Sequence, residues 1–155
     1  MAGLITFVCL GNICRSPMGE RVAITWAERA GLELSVDSAG VSDWERGNPM
    51  DPRAAHVLTA HGYPSGEHRA KQATPQLIAQ SAIVLAFEPS HLTQLRPLAT
   101  DTSKLHLVTD FDPGAPRGSG IDDPWFGSLS DFEATLAAIE AAMPGIIARA
   151  RLLAQ

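Results

Sequence analysis

The chain has 155 residues, 45% of them hydrophobic and 19% charged, with a formal net charge of −5. That length is enough for one hydrophobic core, and the balance excludes disordered and fibrous classes. The excess of acid argues against a general nucleic-acid or membrane-surface binder, which needs a basic footprint, while leaving room for a local basic pocket.

Met1-Ala2-Gly3 lacks the basic start of a signal peptide, and the apolar run Leu4 to Leu10 is too short to span a membrane. Leu4 to Val8 reads as a strand buried on both faces. After a glycine-containing loop, Ser16-Pro17 opens a helix whose Met18, Val22 and Trp26 share one face, with Gly31 as its stop. Leu34 to Ala39 is a second strand. Asp51 caps a helix begun by Pro52, with Ala54, Val57 and Leu58 inward and Gly62 at the end. Thr74-Pro75 starts a short helix through Gln80, Ala82 to Phe87 is a third strand, Ser90 to Leu98 has helical spacing, and Leu105 to Thr109 is a weaker fourth strand. Asp110 to Gly127 is rich in Asp, Gly and Pro and reads as a loop. In the last helix Leu129, Phe132, Leu136, Ile139, Met143, Ile146 and Ile147 mark the inner face.

Strands alternating with helices predict an α/β three-layer sandwich with a parallel sheet covered on both faces, spanning residues 1–155 as a single domain. Ligands in such folds bind beyond the carboxyl ends of the strands, which directs attention to Cys9. Cys9 and Cys14 are too few and too close for a disulfide-stapled secreted scaffold, so the expectation is a cytoplasmic protein in a reducing compartment.

Cys9 and Arg15 bracket Leu10, Gly11, Asn12, Ile13 and Cys14. Successive backbone N–H groups in such a loop curl into an anion nest, and the following helix N-terminus adds positive potential. Gly11 and Asn12 tolerate the positive φ that a tight nest requires. Arg15 offers a planar fork to two phosphate oxygens, and the same field favours the thiolate of Cys9. Ser16 is placed to donate to that thiolate. The plain alternative is that Cys9 is a small buried hydrophobe at a strand end.

The segment Val8 to Met18 resembles the signature of the low-molecular-weight protein tyrosine phosphatases. So do Asp37 to Gly40, Pro49-Met50-Asp51-Pro52-Arg53-Ala54, His68 to Gln72, Asp110 to Pro113 and Asp122 to Gly127. The resemblance covers nearly the whole length. It implies a four-stranded parallel sheet, no metal or other cofactor, and a phosphocysteine intermediate on Cys9. It also implies that Asp123 is the general acid of the first step and the base of the second; Asp122 is its competitor. Ser16, Ser38 and Asn12 match the family's loop support, and His68 matches a supporting residue whose partner is an aspartate in many relatives; Glu88 occupies the matching position here. Trp44, Trp125 and Phe126 match the pocket wall, Trp125 and Phe126 standing where many relatives carry two tyrosines, so a tyrosine-phosphorylation switch is lost. Cys14, in the same nest as Cys9, suggests a protective disulfide.

The implied partner is a phosphotyrosine-containing protein, with inorganic phosphate as product, no nucleic acid or membrane, and a monomer or weak dimer as the working state. Two other readings are an arsenate reductase borrowing a small external thiol and a catalytically silent phosphotyrosine-binding module. His56, His61, His91 and His106 show no metal-ligand spacing.

Overall fold

A computed structural model describes residues 3–154; Met1 and Ala2, read above as lacking the basic start of a signal peptide, and Gln155 lie outside the described residues. The order of elements is β1 (Leu4–Cys9), α1 (Arg15–Arg29), β2 (Ser35–Gly40), α2 (Pro52–Ala60), α3 (Pro75–Gln80), β3 (Ser81–Ala86), α4 (Pro89–Leu95), β4 (Leu105–Leu107) and α5 (Leu129–Leu153). Short 3-10 turns occupy Arg96–Leu98, Thr102–Lys104, Val108–Phe111 and Pro124–Phe126.

The four strands run parallel in the order β2-β1-β3-β4. The continuous apolar runs therefore form strands with both faces covered, and alternate residues feed two separate cores. From β1 and β3, Ile5, Phe7, Cys9, Ile83 and Leu85 join Phe87 in a core with α1, α2 and α5. Val8, Val84 and Ala86 face the other way, against Ile78 and Leu95 of α3 and α4. In α5, Phe132, Leu136, Ile139, Met143 and Ile146 are essentially fully buried, each worth roughly 1.5–3 kcal/mol of transfer free energy.

Several boundaries follow from local chemistry. Asp51 caps α2 by accepting from the Arg53 N–H, with Pro52 in the first turn, and Ala54, Val57 and Leu58 are its buried residues. Thr74 caps α3 through the Leu77 N–H. Gly31 adopts φ +65° just past α1, which an L side chain resists. Two expectations need correction. Leu129 is exposed rather than inward, because it is the first residue of α5 and lies ahead of the stretch that meets the core. The fourth strand stops at Leu107, where a 3-10 turn held by the Asp110 carboxylate accepting the Leu107 N–H takes over.

Candidate active site

The centre of the sheet decides where the loop after β1 lies. Cys9 pairs with Gly40 of β2 on one side, and Val8 with Ala86 of β3 on the other, so residues 9–15 emerge between two flanking strands. The loop turns its carbonyls outward. Cys9 O accepts from the Val41 N–H at 2.9 Å and Leu10 O from the Ser42 N–H at 3.0 Å. Asn12 O meets His68 Nε2 at 2.6 Å, and Ile13 O accepts from the Asp51 N–H at 2.8 Å. A loop so anchored presents amide hydrogens on its inner side, the requirement for holding an oxyanion.

Asn12, with φ 61°, is the non-glycine residue of positive φ among those described. Gly11, expected to share that role, has no positive φ; the left-handed turn falls on Asn12 alone. The asparagine is suited because its side chain compensates the strain with three hydrogen bonds. Its Oδ1 accepts from the Lys71 N–H at 3.0 Å, which fixes the amide orientation. Its Nδ2 then donates to Ser16 Oγ at 2.8 Å and Ser38 Oγ at 3.0 Å. Ser38 passes its own hydroxyl hydrogen to Glu20 Oε1 at 2.7 Å. The Cys9 thiol donates to Ser16 Oγ at 3.0 Å, a bond that turns round when the sulfur is ionised, the hydroxyl then donating to the thiolate; the Ser16 N–H already donates to that sulfur, at 3.4 Å.

Arg15 is 1% exposed, yet it is not unpaired. Nη1 donates to Glu88 Oε2 at 2.9 Å and to Ile121 O at 2.7 Å, and Nη2 lies 3.5 Å from Asp123 Oδ2. Asp123 also accepts the Trp125 N–H at 3.1 Å, starting the turn Pro124–Phe126. Leu10, Gly11, Ile13, Cys14, Arg15, Trp44, Glu45, Asp123, Trp125 and Phe126 enclose a cavity of about 160 Å³. Cys9 is 3% exposed and lies behind this lining, at the start of the loop that supplies Leu10 to Arg15.

Residues 4–154 match the family model described as low molecular weight phosphotyrosine protein phosphatase. The chain belongs to that family. It is 41% identical over 145 residues to the low molecular weight protein-tyrosine phosphatase A of Mycobacterium tuberculosis, covering 92% of this chain and 88% of that one. A low molecular weight protein-tyrosine-phosphatase of Streptomyces coelicolor is 39% identical over 153 residues, covering 95% and 93%. Among solved structures, YfkJ from Bacillus subtilis superimposes with a TM-score of 0.91 at 28% identity, covering 100% and 98%.

Within this family member the residues singled out from sequence converge around one loop. Asp123 lines the cavity with Arg15, whereas Asp122 lines only the neighbouring groove behind the turn, which Asp123 borders as well. Trp44, Trp125 and Phe126 form the rim, Trp44 being 76% exposed. His68 supports the loop, but through Asn12 O and not through Glu88. Glu88 instead holds Arg15, and its Oε2 lies 3.3 Å from Nε2 of His91. The sheet order explains why the two do not meet: Glu88 follows β3, while the segment after His68 bridges Gly40 of β2 through Gln72, on the opposite flank of β1.

His91 was missed as part of the site. Burial, and then the neighbouring Arg15 charge, push its pKa down to about 4 against the pull of Glu88 and Asp123, so it is neutral near pH 7. Its only sequence signal was the spacing to Glu88, three residues earlier at the start of α4. Cys14 is a free thiol with Sγ 3.9 Å from Asp51 Oδ2; burial, then Asp51, push its pKa far up, so it remains protonated.

Proposed function

We propose that the protein hydrolyses phosphotyrosine in protein substrates through a phosphocysteine on Cys9. The observation that carries this reading is the pair of hydrogen bonds joining Cys9 Sγ to the Ser16 hydroxyl and N–H, in a loop whose cavity is lined by Arg15 and Asp123. In the first step the Cys9 thiolate attacks phosphorus; the S–P bond forms as the P–O bond to the ring breaks. Arg15 and the loop amides hold the equatorial oxygens, and Asp123 gives its proton to the departing phenolate. In the second step the Asp123 carboxylate takes a proton from water, the hydroxide oxygen bonds phosphorus, and the S–P bond breaks. The thiolate leaves with a hydrogen bond from Ser16, and inorganic phosphate is released.

The aromatic rim favours a phenyl ester over a serine ester, because Trp44, Trp125 and Phe126 line the cavity and supply aromatic surface for a tyrosine ring. The Trp125 and Phe126 rings meet edge to face, with centroids 4.7 Å apart. The arsenate-reductase reading finds no support among the matched relatives, which are named phosphatases. A silent binding module would lack one of Cys9, Arg15 and Asp123, and all are in the sequence. We read the protein further as a single domain, a monomer or weak dimer that works in the cytoplasm. Among the described residues no helix is long and apolar enough to cross a membrane.

The test is Cys9→Ser against an aryl phosphate. The variant should lose at least ~10⁴-fold in kcat while still binding inorganic phosphate, since the loop amides and Arg15 remain. Turnover at the wild-type rate would remove Cys9 from the mechanism.

A further inference from the structure

The segment Met50-Asp51-Pro52-Arg53 belongs to the family resemblance, yet neither Asp51 nor Arg53 lines the cavity. We propose that the two form a clamp spanning the cleft, in which Arg53 is a positioning residue for the acid Asp123; this rests on the reading of Asp123 given above.

One end of the clamp is fixed to the phosphate loop. The Asp51 N–H donates to Ile13 O at 2.8 Å, and the Asp51 carboxylate faces the thiol of Cys14. The middle is a two-pronged ion pair. Arg53 Nε donates to Asp51 Oδ1 at 3.1 Å and Nη2 to Oδ2 at 2.9 Å, a geometry that orients the guanidinium plane as well as holding it. Partial burial alone would raise the Asp51 pKa, but the hydrogen bonds from Arg53 outweigh it and the net shift is downward.

The other end grips the acid turn. Nη2 of Arg53 donates to Trp125 O at 3.1 Å and Nη1 to Gly127 O at 3.0 Å, while the guanidinium carbon stands 4.6 Å from the centroid of Phe132 in α5. Trp125 is thereby held on both sides, its N–H by the Asp123 carboxylate and its carbonyl by Arg53. A force on the guanidinium is transmitted to the acid through one residue.

Stability alone is a poor account of this arrangement. The cap of α2 needs only Asp51 Oδ1, and although the Asp51 carboxylate is largely buried, the Arg53 side chain that completes the pair is 34% exposed. Water could satisfy the carbonyls of Trp125 and Gly127. What water does not supply is a fixed distance between the loop that seats phosphorus and the turn that carries the proton, and proton transfer is sensitive to that distance.

The experiment compares wild type, Arg53→Met, Arg53→Lys, Asp123→Asn and the Arg53→Met/Asp123→Asn double variant on aryl phosphates with phenols of graded acidity. Methionine keeps an apolar stem over Phe132 and removes the fork. Arg53→Met should lower kcat/KM, which reports the step that expels the phenol and not the later hydrolysis common to all substrates, roughly tenfold for poorly acidic phenols, a fraction of the ~10²–10⁴ that a general acid supplies, and within about twofold for strongly acidic ones. Arg53→Lys, keeping the charge without the fork, should fall between. In the Asp123→Asn background Arg53→Met should add almost nothing, the non-additivity of two residues acting through one proton. An equal loss of kcat/KM for all substrates, or full additivity with Asp123→Asn, would overturn the clamp and leave the phosphatase reading intact. Should Arg53→Met fail to fold, the same criteria apply to Arg53→Lys. An Asp123→Asn protein with no dependence on phenol acidity would remove the acid itself, and the clamp with it.

Discussion

The two sides of the cleft are built by opposite strategies. The phosphate loop is part of the core: Asn12, Arg15, Ser16 and Ser38 are all essentially inaccessible, and each polar group has a fixed partner. The acid turn lies on the surface, with Phe126 87% exposed and the carbonyls of Trp125 and Gly127 held by the partly exposed Arg53. Stabilising charge on an oxyanion rewards dipoles that need no reorganisation, so that side is rigid. Delivering a proton to a protein substrate requires an arm that admits the substrate first, so that side stands outside the core.

Mutations should separate these two sides. The largest effect on rate is expected from the exposed side: Asp123→Asn should lose ~10²–10⁴ in kcat on poor leaving groups, with a melting temperature close to wild type. The reverse holds across the cleft. Asn12→Ala should destabilise by about 2–4 kcal/mol, because it strands the two buried serines and the Lys71 N–H and leaves alanine in a left-handed conformation. Urea unfolding measures it; a variant as stable as wild type would mean that the network does not hold the loop.

Acid should reach the buried side first. His91 has a folded pKa of about 4 against an ordinary 6.5, so between those values the unfolded chain binds the extra proton. Stability contributed by neutral His91 is thus complete above about pH 6.5 and lost as pH falls toward 4, by at most ~3 kcal/mol. The groups facing His91 are Glu88 on its own element, Arg15 of α1 and Asp123 of the acid turn. His91→Asn should flatten this part of the stability–pH curve, and an unchanged slope would exclude His91 as its source. The smallest effect is expected from Trp44→Ala, which should weaken KM for aryl relative to alkyl phosphates about threefold, with stability within ~0.5 kcal/mol.

The parts legible in the sequence were those governed by local chemistry. Asp51-Pro52 and Thr74-Pro75 set helix starts through caps that reach only two or three residues. The apolar runs gave the strands because burial on both faces leaves no room for alternation. The loop from Cys9 to Arg15 was readable because its strand, turn and helix are contiguous. What escaped depended on strand order: Glu88 and His68 are 20 positions apart in the chain, and nothing local says that β1 separates them. Arg53 escaped for the same reason, since its carbonyl partners lie 72 and 74 residues away.

Gly40 shows how narrow the margin is beneath the loop. A methyl group on its α-carbon would sit 2.8 Å from Leu10 O and 3.1 Å from the carbonyl carbon of Gly11, closer than unbonded atoms tolerate. Residue 40 touches neither sulfur nor acid, yet Gly40→Ala would lift the floor on which the catalytic loop rests. A single added carbon at the last residue of a neighbouring strand, itself no reacting group, is thus expected to displace the Leu10 carbonyl and with it the seat.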